Sequence, residues 1–253
     1  MSAGNNIIQN VSRETLDALR IYERSLRQWQ ERINLVATST LSELWNRHFI
    51  DSYQLVNIIN GLPSPGGGMW FVEQTTGGEE MFHMKHSDIS NPNHPLSPPL
   101  QWEKNIIIAD LGSGAGFPGM ILALAGIPNV HLIESDQRKC AFLRDVSREI
   151  FGAEKNQNVS RETFRPTIHN KRIENVSLEA DLITSRAFAN LAKTLEISTH
   201  LRHEKTVYLL LKPLDLEKEL AESAKNWYFK HEIIPSLTDP RGCVLKIYDV
   251  VKK

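Results

Sequence analysis

The feature that most restricts the fold is the run A-D-L-G-S-G-A-G-F-P-G at 109–119. It follows a short apolar segment, Ile106 to Leu111, and precedes a stretch of helical character from about Pro118 to Ala125. Gly112, Gly114 and Gly116 permit a tight turn there and let a ligand approach the backbone where side chains would collide. The helix beyond presents free N–H groups and the positive end of its dipole. A chain with this connection is expected to build a parallel α/β sheet whose ligand sits at the strand ends.

The rest of the pattern agrees. Val130 to Glu134 reads as a second strand, with a helix over 137–150 after it. Asp181 to Ser185 and Val207 to Leu211 read as further parallel strands, with a helix near 189–201 between them. His231 to Ile234 and Val244 to Val251 are expected to close the sheet as an antiparallel pair. Residues 105–253 are thus expected to form a mostly parallel, doubly wound, Rossmann-like α/β sheet. Ahead of it, Leu16, Leu19, Tyr22, Leu26, Trp29 and Ile33 recur at three- and four-residue spacings, predicting an amphipathic helix over 12–33. Ser12 is its expected N-cap, with Glu14 in the first turn. A second helix is expected over 41–59, and the two make a small helical subdomain, 1–60. Residues 61–104 change composition to P-S-P-G-G-G, T-T-G-G-E-E and N-P-N-H-P-L-S-P-P, which reads as a flexible insertion. The polar stretch 152–170 reads as a second, irregular one.

The glycines alone leave the ligand open between S-adenosylmethionine and a dinucleotide, because a helix N-terminus receives a carboxylate or a pyrophosphate alike. Asp110 favours the methyl donor, since a carboxylate there repels a pyrophosphate and can pair with an amino-acid ammonium. Glu134 ends the next strand, 22 positions after Gly112, where an acidic side chain accepts hydrogen bonds from a ribose diol.

A net charge of −1 sets up no general attraction for a polyanion, so any affinity for nucleic acid must come from a local patch. No run approaches the roughly 20 apolar residues of a membrane helix, and the start lacks the basic-then-apolar pattern of a signal peptide. Cys140 and Cys243 have no paired or metal-ligand spacing. The expected location is the cytoplasm, with no metal and no membrane partner.

N-V-S-R-E-T occurs at 10–15 and at 158–163, V-S-R-E-I at 146–150, and M-F-H-M-K-H at 81–86. The spacing fits no structural repeat. The DNA palindrome TGTTTCACGTGAAACA encodes V-S-R-E-T in one frame and F-H-V-K in another, and it resembles the centromere-like sites of bacterial chromosome partition. The recurrence therefore reads as a property of the gene, and His83 and His86 as products of its codons, not as ligands.

Beyond the glycine run, the chain carries R-I-N-L at 32–35, R-H-F-I-D-S at 47–52, L-I-E-S at 132–135, R-I-E at 172–174, S-R-A-F-A at 185–189 and L-L-L-K at 209–212. Together these resemble the bacterial 16S rRNA 7-methylguanosine methyltransferases, also called glucose-inhibited division protein B, over nearly everything outside the two insertions. The resemblance implies a class I methyltransferase fold and S-adenosylmethionine as cofactor. It implies that Gly112 and Phe117 contact the cofactor, that Ile173 and Glu174 meet its adenine portion, and that Arg186 lies beside donor and substrate. Two positions depart from the family pattern: Glu134 stands where aspartate is usual, and Pro213 follows Lys212.

Many enzymes that methylate exocyclic amines carry D/N-P-P-Y/F at the end of the fourth strand; here that place reads S-R-A-F. Nitrogen-7 of guanine has a free lone pair and no proton to lose, so Arg186 and Lys212 suffice as the expected catalytic groups. Arg47, His48 and Lys212 are the expected RNA contacts, with 16S rRNA or the small ribosomal subunit as partner and the protein acting as a monomer. Taken alone, the residues also allow a small-molecule or protein methyltransferase, a nicotinamide-dependent oxidoreductase, or a non-catalytic nucleotide-binding regulator.

Overall fold

The computed structural model describes residues 11–62, 106–152 and 164–253. Nearly all of the 61–104 insertion, with its 81–86 motif, and residues 153–163 of the second lie outside the described residues.

The N-terminal apolar stripe forms α1 (Arg13–Gln30), with Ala18, Leu19, Tyr22 and Leu26 on its buried face. Ser12 caps it by accepting from the Thr15 N–H at 3.1 Å, a bond that stabilises a helix by about 1 kcal/mol. The second predicted helix is broken into three pieces: a 3-10 turn at Thr38–Glu43, a wider π turn at Trp45–Ile50, and α2 (Asp51–Asn60). Apolar periodicity could not reveal this, because the widened turn changes the phase of the helix face. Such turns occur often at functional sites, and this one carries Arg47 and His48.

From Ile106 strands and helices alternate as β1 (Ile108–Leu111), α3 (Gly119–Leu124), β2 (Val130–Glu134) and α4 (Gln137–Phe151). They continue as β3 (Thr167–Asn170), β4 (Ala180–Arg186), α5 (Leu191–Ile197), β5 (Arg202–Pro213), α6 (Glu217–Ser223), β6 (Trp227–Pro235) and β7 (Gly242–Lys252). One seven-stranded sheet results, in the order β3-β2-β1-β4-β5-β7-β6. The first five strands are parallel, and β7 runs antiparallel between β5 and β6. The chain leaves β1 toward β2 and β3 and returns on the other side as β4. That reversal opens a crevice at the C-terminal ends of β1 and β4, where such sheets bind ligands.

This is the Rossmann-like sheet the alternation predicted, with differences at its margins. The reading of 152–170 as irregular fails at its end, where 167–170 pair with β2. T-I-H-N has one apolar residue, and an edge strand needs no more. Helix α6 also went unforeseen; its sequence E-K-E-L-A-E-S is mostly polar and only Ser223 is fully buried.

Alternating residues fill two cores. Ile108, Leu209, Leu211 and Val244 face α1 to α4 on one side. Ala109, Tyr208, Leu210 and Leu245 face the α5–α6 side on the other. The N-terminal helices have no core of their own. Tyr22, Leu26 and Phe49 share the first core with Phe117, Met120 and Phe142, and polar ties reinforce this: Arg24 and Ser25 bond the Glu149 carboxylate at 2.6 and 2.7 Å, and the Trp29 indole donates to Asp145 at 3.1 Å. Among the described residues, no helix is long and apolar enough to cross a membrane.

Candidate functional site

After Leu111 the chain turns with φ of +64° at Gly112, +55° at Gly114 and +92° at Gly116. A Cβ on Gly114 would meet only the Gly112 carbonyl, at 3.7 Å, so this residue borders open space. The other two glycines answer to protein rings. A Cβ on Gly112 would run into the Phe188 ring, and one on Gly116 would lie 2.5 Å from the Tyr22 hydroxyl. The expectation that all three clear room for a ligand therefore narrows to Gly114.

The loop is held from three sides. The Tyr22 hydroxyl donates to the Ala115 carbonyl. The Gly114 N–H donates to Glu134 Oε2 at 2.9 Å, and the Asp136 N–H to Glu134 Oε1 at 2.8 Å. Each Glu134 oxygen thus takes one backbone donor and keeps lone pairs for others. Asp110 lies beneath, fully buried, accepting from the Gly119 N–H at 3.3 Å and from the Thr184 hydroxyl at 3.1 Å. Burial pushes its carboxyl up to about 6 against those hydrogen bonds and the charge of Arg186. With no solvent-facing oxygen, Asp110 shapes the loop from below and does not offer itself to a ligand ammonium. At the other rim, Ile173 is buried and Glu174 exposed on a 3-10 turn, fixed by the His200 Nε2–H donating to the Ile173 carbonyl at 3.1 Å.

Arg186 ends β4 and turns into the seam between sheet and N-terminal helices. Its guanidinium carbon stands 4.8 Å from the Phe117 ring centroid. Its Nη1 donates to the Arg47 carbonyl at 3.1 Å, and it lies 3.9 Å from the Asp51 carboxylate. Asp51 also receives the Thr238 hydroxyl at 2.8 Å and the Ser236 hydroxyl at 3.3 Å, so the β6–β7 loop closes the same seam. Arg47 pairs with Asp239 at 2.6 Å and stays 37% exposed.

His48 does not fit its expected role as an RNA contact. Its residue is 8% exposed and its ring stacks on Phe117. The Thr40 hydroxyl gives its single proton to the Ala37 carbonyl at 2.7 Å, so at 2.8 Å from His48 Nε2 it must accept, which places the proton on Nε2. Burial, then Arg186 and Arg47, bring the ring down to about 3, so it is neutral. Lys212 is likewise committed elsewhere. It is 9% exposed, 2.5 Å from Glu219, and donates to the Ala189 carbonyl at 2.6 Å. It anchors the segment after β4 and has no free charge for RNA.

The family model for rRNA small subunit methyltransferase G matches residues 15–63 and 96–241. The enzyme of that name from Paramagnetospirillum magneticum is 40% identical, covering 95% of this chain and 91% of its own. The chain belongs to this family. The Gluconobacter oxydans member is 38% identical over 94% of this chain and 96% of its own. The stretch between the matched blocks, 64–95, falls inside the Pro- and Gly-rich segment read as an insertion. A similar fold is seen in a crystal structure of an MtNAS mutant in complex with S-adenosylmethionine, with a TM-score of 0.50 and 10% identity over 92% of this chain and 73% of that one.

In this family member, sequence reasoning overlooked Tyr22, Asp51 and Phe188 at the site. Asp51 and Phe188 stood inside quoted motifs, R-H-F-I-D-S and S-R-A-F-A, whereas Tyr22 looked like one more residue of an apolar stripe.

Proposed function

We propose that the chain methylates nitrogen-7 of a guanine in 16S ribosomal RNA with S-adenosylmethionine as donor. The carrying observation is the open side of Gly114 beside Glu134 at the switch point, within a chain of the rRNA small subunit methyltransferase G family. The residues present fit the cofactor: a left-handed glycine backbone leaves room that a Cβ would fill, Glu134 has lone pairs for a ribose diol, and Glu174 stands exposed at the rim beside the buried Ile173. S-adenosylmethionine, when bound, supplies an electrophilic methyl group.

What this chain must add is placement. Nitrogen-7 needs no deprotonation, so holding the base in line and excluding water is the main contribution available. Arg186 acts here as a positioning residue, fastening the helical segment over the loop. Arg47, half-exposed at the rim and paired with Asp239, is the one of the three expected RNA contacts whose charge still reaches solvent to meet RNA phosphate. On this reading the protein acts as a monomer in the cytoplasm, a compartment that the two buried free thiols suit.

The test is incubation of purified protein with small-subunit RNA and methyl-labelled donor, followed by nucleoside analysis. Label in 7-methylguanosine is expected. Label in another nucleoside, in protein, or nowhere despite tight donor binding would refute the proposal.

A further inference from the structure

Phe188 differs from the other aromatic side chains around the glycine loop. Phe117 is 3% exposed and enclosed: Tyr22 and His48 stack on it, Phe49 meets it edge-on, and Arg186 lies over it. It has no ring face left for a ligand. Phe188 is half-buried, and among the described residues no ring stacks on it and no cation lies over it. Its inner surface fills the space that a Cβ on Gly112 would need.

The chain adopts a disfavoured conformation to put it there. Ala187 has φ +50°, a left-handed angle that residues with a Cβ rarely take and that tends to persist at functional sites. Just behind, Lys212 grips the Ala189 carbonyl and the Glu219 carboxylate accepts from the Leu191 N–H. One aromatic ring is thus fixed at the C-terminal end of β4, against the glycine loop and two residues from Arg186.

We propose that Phe188 is the platform on which the target guanine stacks, and that its π-face stabilises the charge the base acquires. The inference rests on the reading of the chain as a guanine-N7 methyltransferase. In that transfer the nitrogen-7 lone pair forms the N–CH3 bond and the S–CH3 bonding pair stays on sulfur. The positive charge passes from sulfur to the purine, and no proton moves. A flat apolar ring binds an unstacked base through its face. The same face attracts the base more strongly as it becomes cationic. The interaction therefore grows along the reaction, which is the condition for accelerating it.

The test uses the full chain with small-subunit RNA from cells lacking the gene and from cells carrying it. In equilibrium binding without donor, the native chain is expected to prefer the methylated RNA by about three- to tenfold. Phe188→Leu, which keeps apolar bulk against Gly112, should abolish that preference, and Phe188→Trp should keep it. In single-turnover methylation Phe188→Leu should be slower by about tenfold or more, with donor affinity changed less than about twofold. A native rate in Phe188→Leu overturns the proposal, as do equal losses of donor affinity and rate, which would make the ring a cofactor wall. If Phe188→Leu does not fold, the native preference decides: equal affinity for the two RNAs overturns the platform. A native chain that forms no 7-methylguanosine removes the parent reading, and the platform with it.

Discussion

Gly112, Gly114 and Gly116 look interchangeable in the sequence, yet only Gly114 faces open space. Gly114→Val is therefore expected to abolish donor binding while the protein still folds, because the side chain fills that space and resists a φ of +55°. Calorimetric titration checks this, and retained affinity would move the cofactor elsewhere. His48 gives a prediction in pH. Its pKa in the fold, about 3, lies below the ordinary 6.5, so the stability it contributes is complete above 6.5 and is lost as pH falls toward 3. Asp110 acts oppositely: raised from 3.8 to about 6, it burdens the fold above 6 and is relieved on acidification to 3.8. His48→Gln should thus flatten the decline of Tm between pH 6.5 and 4; an unchanged slope would show that His48 does not drive it. The left-handed turn at the three glycines and the approach of Glu134 to it were legible, because both follow from spacing. The commitments of His48, Lys212 and Asp110 were not, because each depends on partners distant in the chain.

At the level of elements, the seam between the N-terminal helices and the sheet is where function and stability meet. Arg186 spans it from β4 to Arg47 and Asp51. Arg186→Ala is expected to cost about 1.5–3 kcal/mol in urea unfolding, the worth of a charge-assisted hydrogen bond, and to depress methyl transfer with it. Normal stability with lost transfer would make the guanidinium a substrate ligand instead. Lys212 ties β5 to the segment after β4, and its pair with Glu219 is largely buried. Lys212→Ala leaves that carboxylate uncompensated and should destabilise by about 3–5 kcal/mol, with RNA affinity little changed. Weakened RNA binding at unchanged stability would restore the role in recognition that the sequence suggested. Elements with strong periodicity, such as α1, β2 and α4, could be read directly. The π turn and β3 could not, since one breaks helical phase and the other has a single apolar residue.

Over the whole molecule, the fold was legible because the alternation of apolar strands with helices, opened by a glycine turn, leaves one sheet topology with a crevice at its switch point. The division into a helical subdomain and a separate sheet domain was less so: Tyr22 and Phe49 enter the core of the sheet domain itself, and an amphipathic stripe does not say what it packs against. This shared core places the N-terminal helices over the glycine loop and makes the site a product of both regions. The most direct test of the account is mass spectrometry of small-subunit rRNA from cells with and without the gene. One 7-methylguanosine is expected in the first, absent in the second, and restored by the native gene but not by Gly114→Val. Identical modification in both strains would contradict it.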